Sequence, residues 1–285
     1  MTALALERRA TLTLLLLLGA TALSWSYVLA IEPHGMDVGV LLRPRSVAGS
    51  SEMKAAGQGV DEMGMDDAGS RHASSGMGAG SGQMMTVLAF LAGWVVMMAA
   101  MMMPAVAPLV MLVARWSRSQ GQPAYRLVPF VAGYLAVWGA AGALYYVLIE
   151  ALSSLVPSSG AGVRIAAAVL LAAGLYQFVP LKERCLTACR TPLGFLMTHG
   201  GRMSRGSSGY LEVGARHGLF CLGCCWMLMV ILVVLGVMNI VWMLAVAGVI
   251  FVEKVTGFGA GFSKVMGAGF AAAGLALVIA PGLIV

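Results

Sequence analysis

A chain of 285 residues that is 60% hydrophobic and only 11% charged, with a mean hydropathy of +0.89, carries more apolar surface than a soluble core of that size can bury. The composition excludes an ordinary soluble domain and places the chain among membrane proteins. Its formal net charge of +6 does not indicate a nucleic-acid partner, because the basic residues sit beside apolar runs and not on one soluble domain.

Crossing a bilayer as a helix takes roughly 20 apolar residues. Such runs occur at 11–31, 85–113, 128–149, 163–181, 217–236, 239–252 and 265–284. The expected fold is all-α, a polytopic transmembrane helix bundle of about seven spans, with a short sixth run set off by a turn at Met238-Asn239. The first run also has the form of a signal peptide, with Arg8 and Arg9 ahead of a leucine core, and cleavage would leave six spans. Trp25 and Tyr27 read as interfacial anchors and favour retention of 1–31 as a first span or signal anchor.

Lys and Arg collect in cytoplasmic loops. Here Arg8 and Arg9, then Arg115, Arg118 and Arg126, then Lys182, Arg184, Arg190, Arg202, Arg205 and Arg216, and finally Lys254 and Lys264 fall at alternate connections. The pattern predicts a multi-pass protein with a cytoplasmic N-terminus and an extracytoplasmic C-terminus.

Residues 32–84 form a polar loop on the extracytoplasmic side, rich in Gly, Ser, Ala and Met and poor in aromatic and β-branched residues. This composition predicts disorder. The loop reads either as a flexible linker or as a metal-capture segment built from Met53, Met63, Met65, Met77 and Met84, with Met85 just beyond it and His72 among them. Residues 85–285 are then a transmembrane metal-binding bundle.

The second span contains GWVVMMAAMMMPAVAP. Met97 and Met101 are four apart, as are Met98 and Met102, so each pair shares a helix face. Pro104 frees the carbonyl of Ala100 and predicts a kink beside the methionines. Met is an ordinary gap-filler in apolar packing; five in seven residues beside a kink form a candidate soft-metal site.

All five cysteines fall in two clusters. Cys185 and Cys189 lie just past the fourth run, one helical turn apart, among Lys182, Arg184 and Arg190, cations that favour the thiolate form. Cys221, Cys224 and Cys225 share a helix face one to two turns inside the fifth span. Both clusters map to the cytoplasmic side, where thiols stay reduced, and the two can meet. Thiolate with thioether suits Cu(I) first, with zinc or another thiophilic metal as a lesser option. His199 and His217 read as interfacial polar residues. Two rival readings are a membrane thiol-disulfide oxidoreductase coupled to quinone, and a structural or assembly subunit. The small-residue run from Gly257 to Gly274 predicts close helix packing.

Three motifs carry a family resemblance: WxxMMxxMMxP from Trp94 to Pro104, PxKxxCLxxCRxP from Pro180 to Pro192, and GxxCxGCCWxLM from Gly218 to Met229. In these the chain resembles the bacterial family of predicted metal-binding integral membrane proteins. The resemblance implies a bacterial cytoplasmic (inner) membrane protein with a metal-binding role, copper chaperoning or handling above all.

The residues themselves lead to a non-enzymatic protein that handles Cu(I) as chaperone, deliverer or translocator. Its expected ligands are Met97, Met98, Met101 and Met102 at mid-depth and Cys185, Cys189, Cys221, Cys224 and Cys225 nearer the cytoplasm. Its expected partners are the metal ion, a protein metal donor or acceptor, and membrane lipid, with no nucleic acid. No P-loop or other energy-coupling motif is visible.

Overall fold

The computed structural model of the protein describes residues 15, 17–28, 78–155, 159–235 and 240–279. Among the described residues every element is helical, which suits an apolar chain because a helix satisfies its own backbone polar groups. After α1 (17–28) come α2 (Gly78–Ser119), α3 (Leu127–Leu155) and α4 (Ser159–Tyr176). They are followed by α5 (Pro180–Arg190), α6 (Pro192–His199), α7 (Ser207–Leu235), α8 (Ile240–Val255) and α9 (Gly259–Ile279). Short 3₁₀ turns at Ala124–Arg126 and Gly200–Arg205 lead into α3 and α7.

Among the described residues four stretches are long and apolar enough to cross a membrane: Met84–Ser119, Ala124–Ala151, Ser207–Val234 and Gly259–Ile279. A fifth crossing arises if Gly162–Tyr176 and Pro180–Arg190, bent by 65°, count as one broken span. Among the described residues four or five stretches thus meet this test, where the hydropathy pattern of the whole chain predicts about seven spans. The run at 163–181 breaks because Pro180 begins a new helix and holds Val179 in an extended conformation, φ −72° and ψ 132°. The run at 239–252 becomes α8, whose 16 residues reach about 24 Å, short of a hydrocarbon core of about 30 Å.

Of the first expected run, residues 15 and 17–28 are described and helical. Its remaining residues, the Met238-Asn239 turn and the last residues of the seventh run lie outside the described residues. So do residues 32–77 of the expected loop, with Met53, Met63, Met65, Met77 and His72. From Gly78 onward the chain assigned to that loop is already α2. This helix continues through Pro104 and Pro108.

Helix α7 occupies the centre, packed by α3, α4, α5 and α8. Small residues permit its closest approach: Gly214 lies against the backbone of Phe130, and Gly133 of α3 lies against the backbone of Leu211. On the other side of the bundle Gly267 and Gly274 of α9 pack on α4, as the small-residue pattern predicts. Met97, Met98, Met101 and Met102 are all buried, as are Trp94, Phe130, Tyr134 and Trp138 around them.

At Gly214 an added methyl would meet main chain, which cannot yield as a side chain can. Gly214→Ala should force α3 and α7 apart at a cost of about 1–3 kcal/mol. Gly248→Ala, where an added Cβ meets nothing, should leave stability nearly unchanged. Denaturant unfolding of the two variants in detergent measures the difference.

Candidate metal centre

The cysteines come together where α5 lies on α7. The bend at residues 177–179 turns α5 back against the bundle. One turn of α5 separates Cys185 from Cys189, and both face α7. Gly223 makes room for the first of them, since a Cβ there would sit 2.8 Å from Cys185 Sγ. Cys189 Sγ lies 4.0 Å from Cys224 Sγ. At a metal–thiolate bond of about 2.3 Å, two sulfurs sharing one ion are at most about 4.6 Å apart, so this pair stands at bridging distance.

All three cysteines of α7 make further bonds. The thiols of Cys224 and Cys225 donate to the carbonyl of Cys221 at 3.0 and 2.9 Å. Cys221 Sγ lies 3.2 Å from the Tyr134 hydroxyl. All five cysteines are free thiols; Cys189 is half-buried and the rest are buried. Among the described residues no three His, Cys, Asp or Glu side chains close around one point as a preformed metal cage.

A cation completes the cluster. The buried Lys254 of α8 donates through Nζ to Cys221 Sγ at 3.0 Å and lies 3.6 Å from Met102 Sδ. Met102 of the methionine stripe and Cys221 of the cysteine cluster therefore meet at one ammonium group. They were expected at two depths, with the cysteines one to two turns into their span. Because α7 starts at Ser207, Cys221 stands about 21 Å along it, near the middle, as Met102 does in α2.

A second buried charge group lies beside this one. Lys182 Nζ donates to both carboxylate oxygens of Glu253 at 2.9 Å, and also to the side-chain oxygen of Gln177. Ser263 of α9 donates to the same Gln177 oxygen at 2.8 Å. At the far end of α5, Arg190 donates to the carbonyls of Thr256 and Gly257, each at 2.7 Å. Helix α5 is thus fastened at both ends to α8 and the turn that follows it.

These contacts revise several expectations. Lys182 and Lys254 were read as loop charges, yet both are buried. Lys182 and Arg190 were expected to act on the thiols, yet they bind Glu253 and main-chain carbonyls; the cation at the sulfurs is Lys254. His217 is buried among protein side chains, stacked on Tyr134 and set edge-on to Phe195, with Nδ1 lacking a partner. His199 is half-buried and bonds through Nδ1 to the Phe195 carbonyl. Sequence reasoning missed Lys254, Glu253 and Lys182. The available signal was Glu253-Lys254 directly following an apolar run too short to span.

The family described as copper chaperone matches residues 91–277, a stretch that holds all five cysteines, the four methionines and Lys254. The chain belongs to this copper chaperone family. No curated protein matches it, and no solved structure does. Copper chaperone membership supports a general copper-handling role. Thiolate and thioether are donors that suit soft Cu(I), and in this family member Cys221 and Met102 adjoin one buried ammonium.

Removing one member of a buried ion pair leaves an uncompensated charge, which costs about 3–5 kcal/mol. Lys182→Met and Glu253→Gln should each destabilise the protein by that order. The double replacement by Met should recover most of the loss. Chemical denaturation in detergent gives the comparison.

Proposed function

We propose that the protein is an integral membrane protein of the bacterial cytoplasmic membrane that binds Cu(I) and delivers it or moves it across the bilayer. The observation that carries this reading is the 4.0 Å separation of Cys189 and Cys224 sulfurs brought from two helices. Those two cysteines are the primary ligands, and Cys185, Cys221 and Cys225 surround them as exchange partners. Met97, Met98, Met101 and Met102 continue the soft-donor surface along α2. The N-terminus is cytoplasmic, the C-terminus is extracytoplasmic, and the partner is a protein that donates or accepts the metal.

Chemistry favours a monovalent soft ion. Two- and three-coordinate thiolate and thioether sites select Cu(I), whereas zinc prefers four tetrahedral ligands. Exchange among neighbouring sulfurs lets the ion pass between ligands without entering water. The same Cys189–Cys224 pair offers a second reading, a dithiol oxidised to a disulfide by quinone. That reading requires the sulfurs to close from 4.0 Å to about 2.05 Å.

Metal content and Cu(I) affinity of anaerobic, detergent-purified protein separate the two. Cys189→Ser, and Cys224→Ser with Cys225→Ser, should each weaken Cu(I) binding by at least about tenfold, and Met111→Leu should not. Equal affinity in all three would remove the thiolate site. An alkylation-resistant pair that becomes reactive after reduction, with no bound copper, would establish the oxidoreductase.

A further inference from the structure

We infer that arginines gathered at one end of the bundle, where α2, α3 and α7 meet, form a docking site for the phosphate of an anionic phospholipid. The site requires the chain to lie in a membrane, as proposed above, and is independent of copper.

Three apolar stretches have an end here: Met84–Ser119 finishes, and Ala124–Ala151 and Ser207–Val234 begin. The Ser117 hydroxyl of α2 lies 2.6 Å from the Tyr210 hydroxyl of α7, which brings the segment carrying Arg118 to the start of α7. Gly206, in the turn before α7, has φ +79°, and a Cβ built on it would lie 3.9 Å from Nη1 and 4.0 Å from Nη2 of Arg126. The Arg126 guanidinium therefore lies over the turn that follows Arg202 and Arg205.

Charge at this end is unbalanced. Arg202, Arg205 and Arg216 converge on Glu212 at 3.2, 3.4 and 3.1 Å, and one carboxylate can neutralise only one of them. Glu212 is the only acidic residue between Glu183 and Glu253. Arg118 and Arg126 take part in no ion pair among the described residues, and the Nε of each is buried without a hydrogen-bond partner. A cytoplasmic loop accepts Lys and Arg alike, yet no lysine occurs between Arg115 and Arg126 or between Arg184 and Arg216. Arginine differs from lysine in its planar fork of donors, which grips phosphate oxygens in pairs.

Apolar side chains flank the charges. Tyr125, Val128 and Leu211 are exposed on the segments that carry Arg126 and Glu212. A phospholipid supplies both complements, a phosphate for the guanidinium groups and acyl chains for the exposed apolar side chains. An acidic protein would match only the first. Anionic lipids enrich the cytoplasmic leaflet, the side to which the arginine pattern assigns this end.

The test is native mass spectrometry of the full-length protein in neutral detergent, titrated with phosphatidylglycerol and, separately, with phosphatidylcholine. Wild type should hold phosphatidylglycerol at least about tenfold more tightly. Near a membrane surface each basic residue contributes roughly fivefold to binding of anionic lipid, so Arg202→Gln with Arg205→Gln should weaken phosphatidylglycerol binding at least about tenfold. Arg202→Lys with Arg205→Lys should recover only part of that loss. Arg164→Gln, at an exposed position near the start of α4 and so at the other end of α3, should change nothing. If the double Gln variant does not fold, Arg205→Gln decides with a loss of roughly fivefold, because that side chain is 61% exposed. Equal retention of the two lipids, or an equal loss in Arg164→Gln, would overturn the inference. Full recovery by lysine would also overturn it, reducing the cluster to general attraction. Displacement of the lipid by equimolar inorganic phosphate would make this a free-phosphate site, and binding of polyglutamate in preference to phosphatidylglycerol would make it a protein contact; either result overturns lipid docking. Protein that stays dispersed without detergent or lipid would remove the membrane reading and the inference with it.

Discussion

Two lysines and a glutamate lie buried inside a largely apolar helical bundle, and the geometry of the site follows from how their charges are balanced. Lys182 of α5 and Glu253 of α8 form a pair with both carboxylate oxygens at 2.9 Å from the ammonium. An ionised group in such an environment is tolerated only when paired and hydrogen-bonded. Gln177 at the bend and Ser263 on α9 supply the additional hydrogen bonds. Because the pair ties α5 to α8, it sets the rotation of α5, and with it the direction in which Cys185 and Cys189 point. Successive residues on a helix differ by about 100° in direction. Glu253 can therefore serve α5 while Lys254, the next residue, reaches Cys221 on α7 and Met102 on α2.

Close backbone packing provides the second condition. Helix α7 can stand within reach of α3 because glycines face main chain at their crossing. That approach brings the Tyr134 hydroxyl to Cys221 Sγ. On the α5 side Gly223 plays the same part for Cys185, and the Tyr176 hydroxyl donates to the Gly223 carbonyl, so the main chain opposite the cysteine is held as well. Four of the five cysteine sulfurs are thus densely packed and buried, conditions under which a thiolate is a strong electrostatic partner for any nearby cation. Met102 and Cys221, one sulfur from each expected cluster, adjoin the same ammonium.

Much of this protein was legible in its sequence, and for physical reasons. Long continuous apolar runs point to helices, because in hydrocarbon backbone groups must be paired within a helix or a closed barrel, and a barrel strand would alternate apolar and polar residues over about ten positions. The spacing of Cys185 with Cys189 and of Cys221 with Cys224 and Cys225 determines which helix faces they share, and the Met97 to Met102 pattern does the same for α2. Donor softness follows from residue identity. The three motifs carrying these residues lie inside the region matched to the copper chaperone family.

Tertiary structure decided the rest. A hydropathy window cannot distinguish a span from a segment such as α8, whose 16 residues find their place by packing on α2, α7 and α9. It also treats every lysine near a run's end as a loop charge, whereas Lys182 and Lys254 are drawn inward by partners 71 and 33 residues away along the chain. The meeting of Cys189 with Cys224, across 35 residues, depends on the break at Pro180 and the ion pair that docks α5. Residue identity and helical period are local properties, so the sequence by itself determined the donors and the faces they occupy. Which donor stands beside which charge depends on long-range packing and charge pairing, and only the folded bundle settles it.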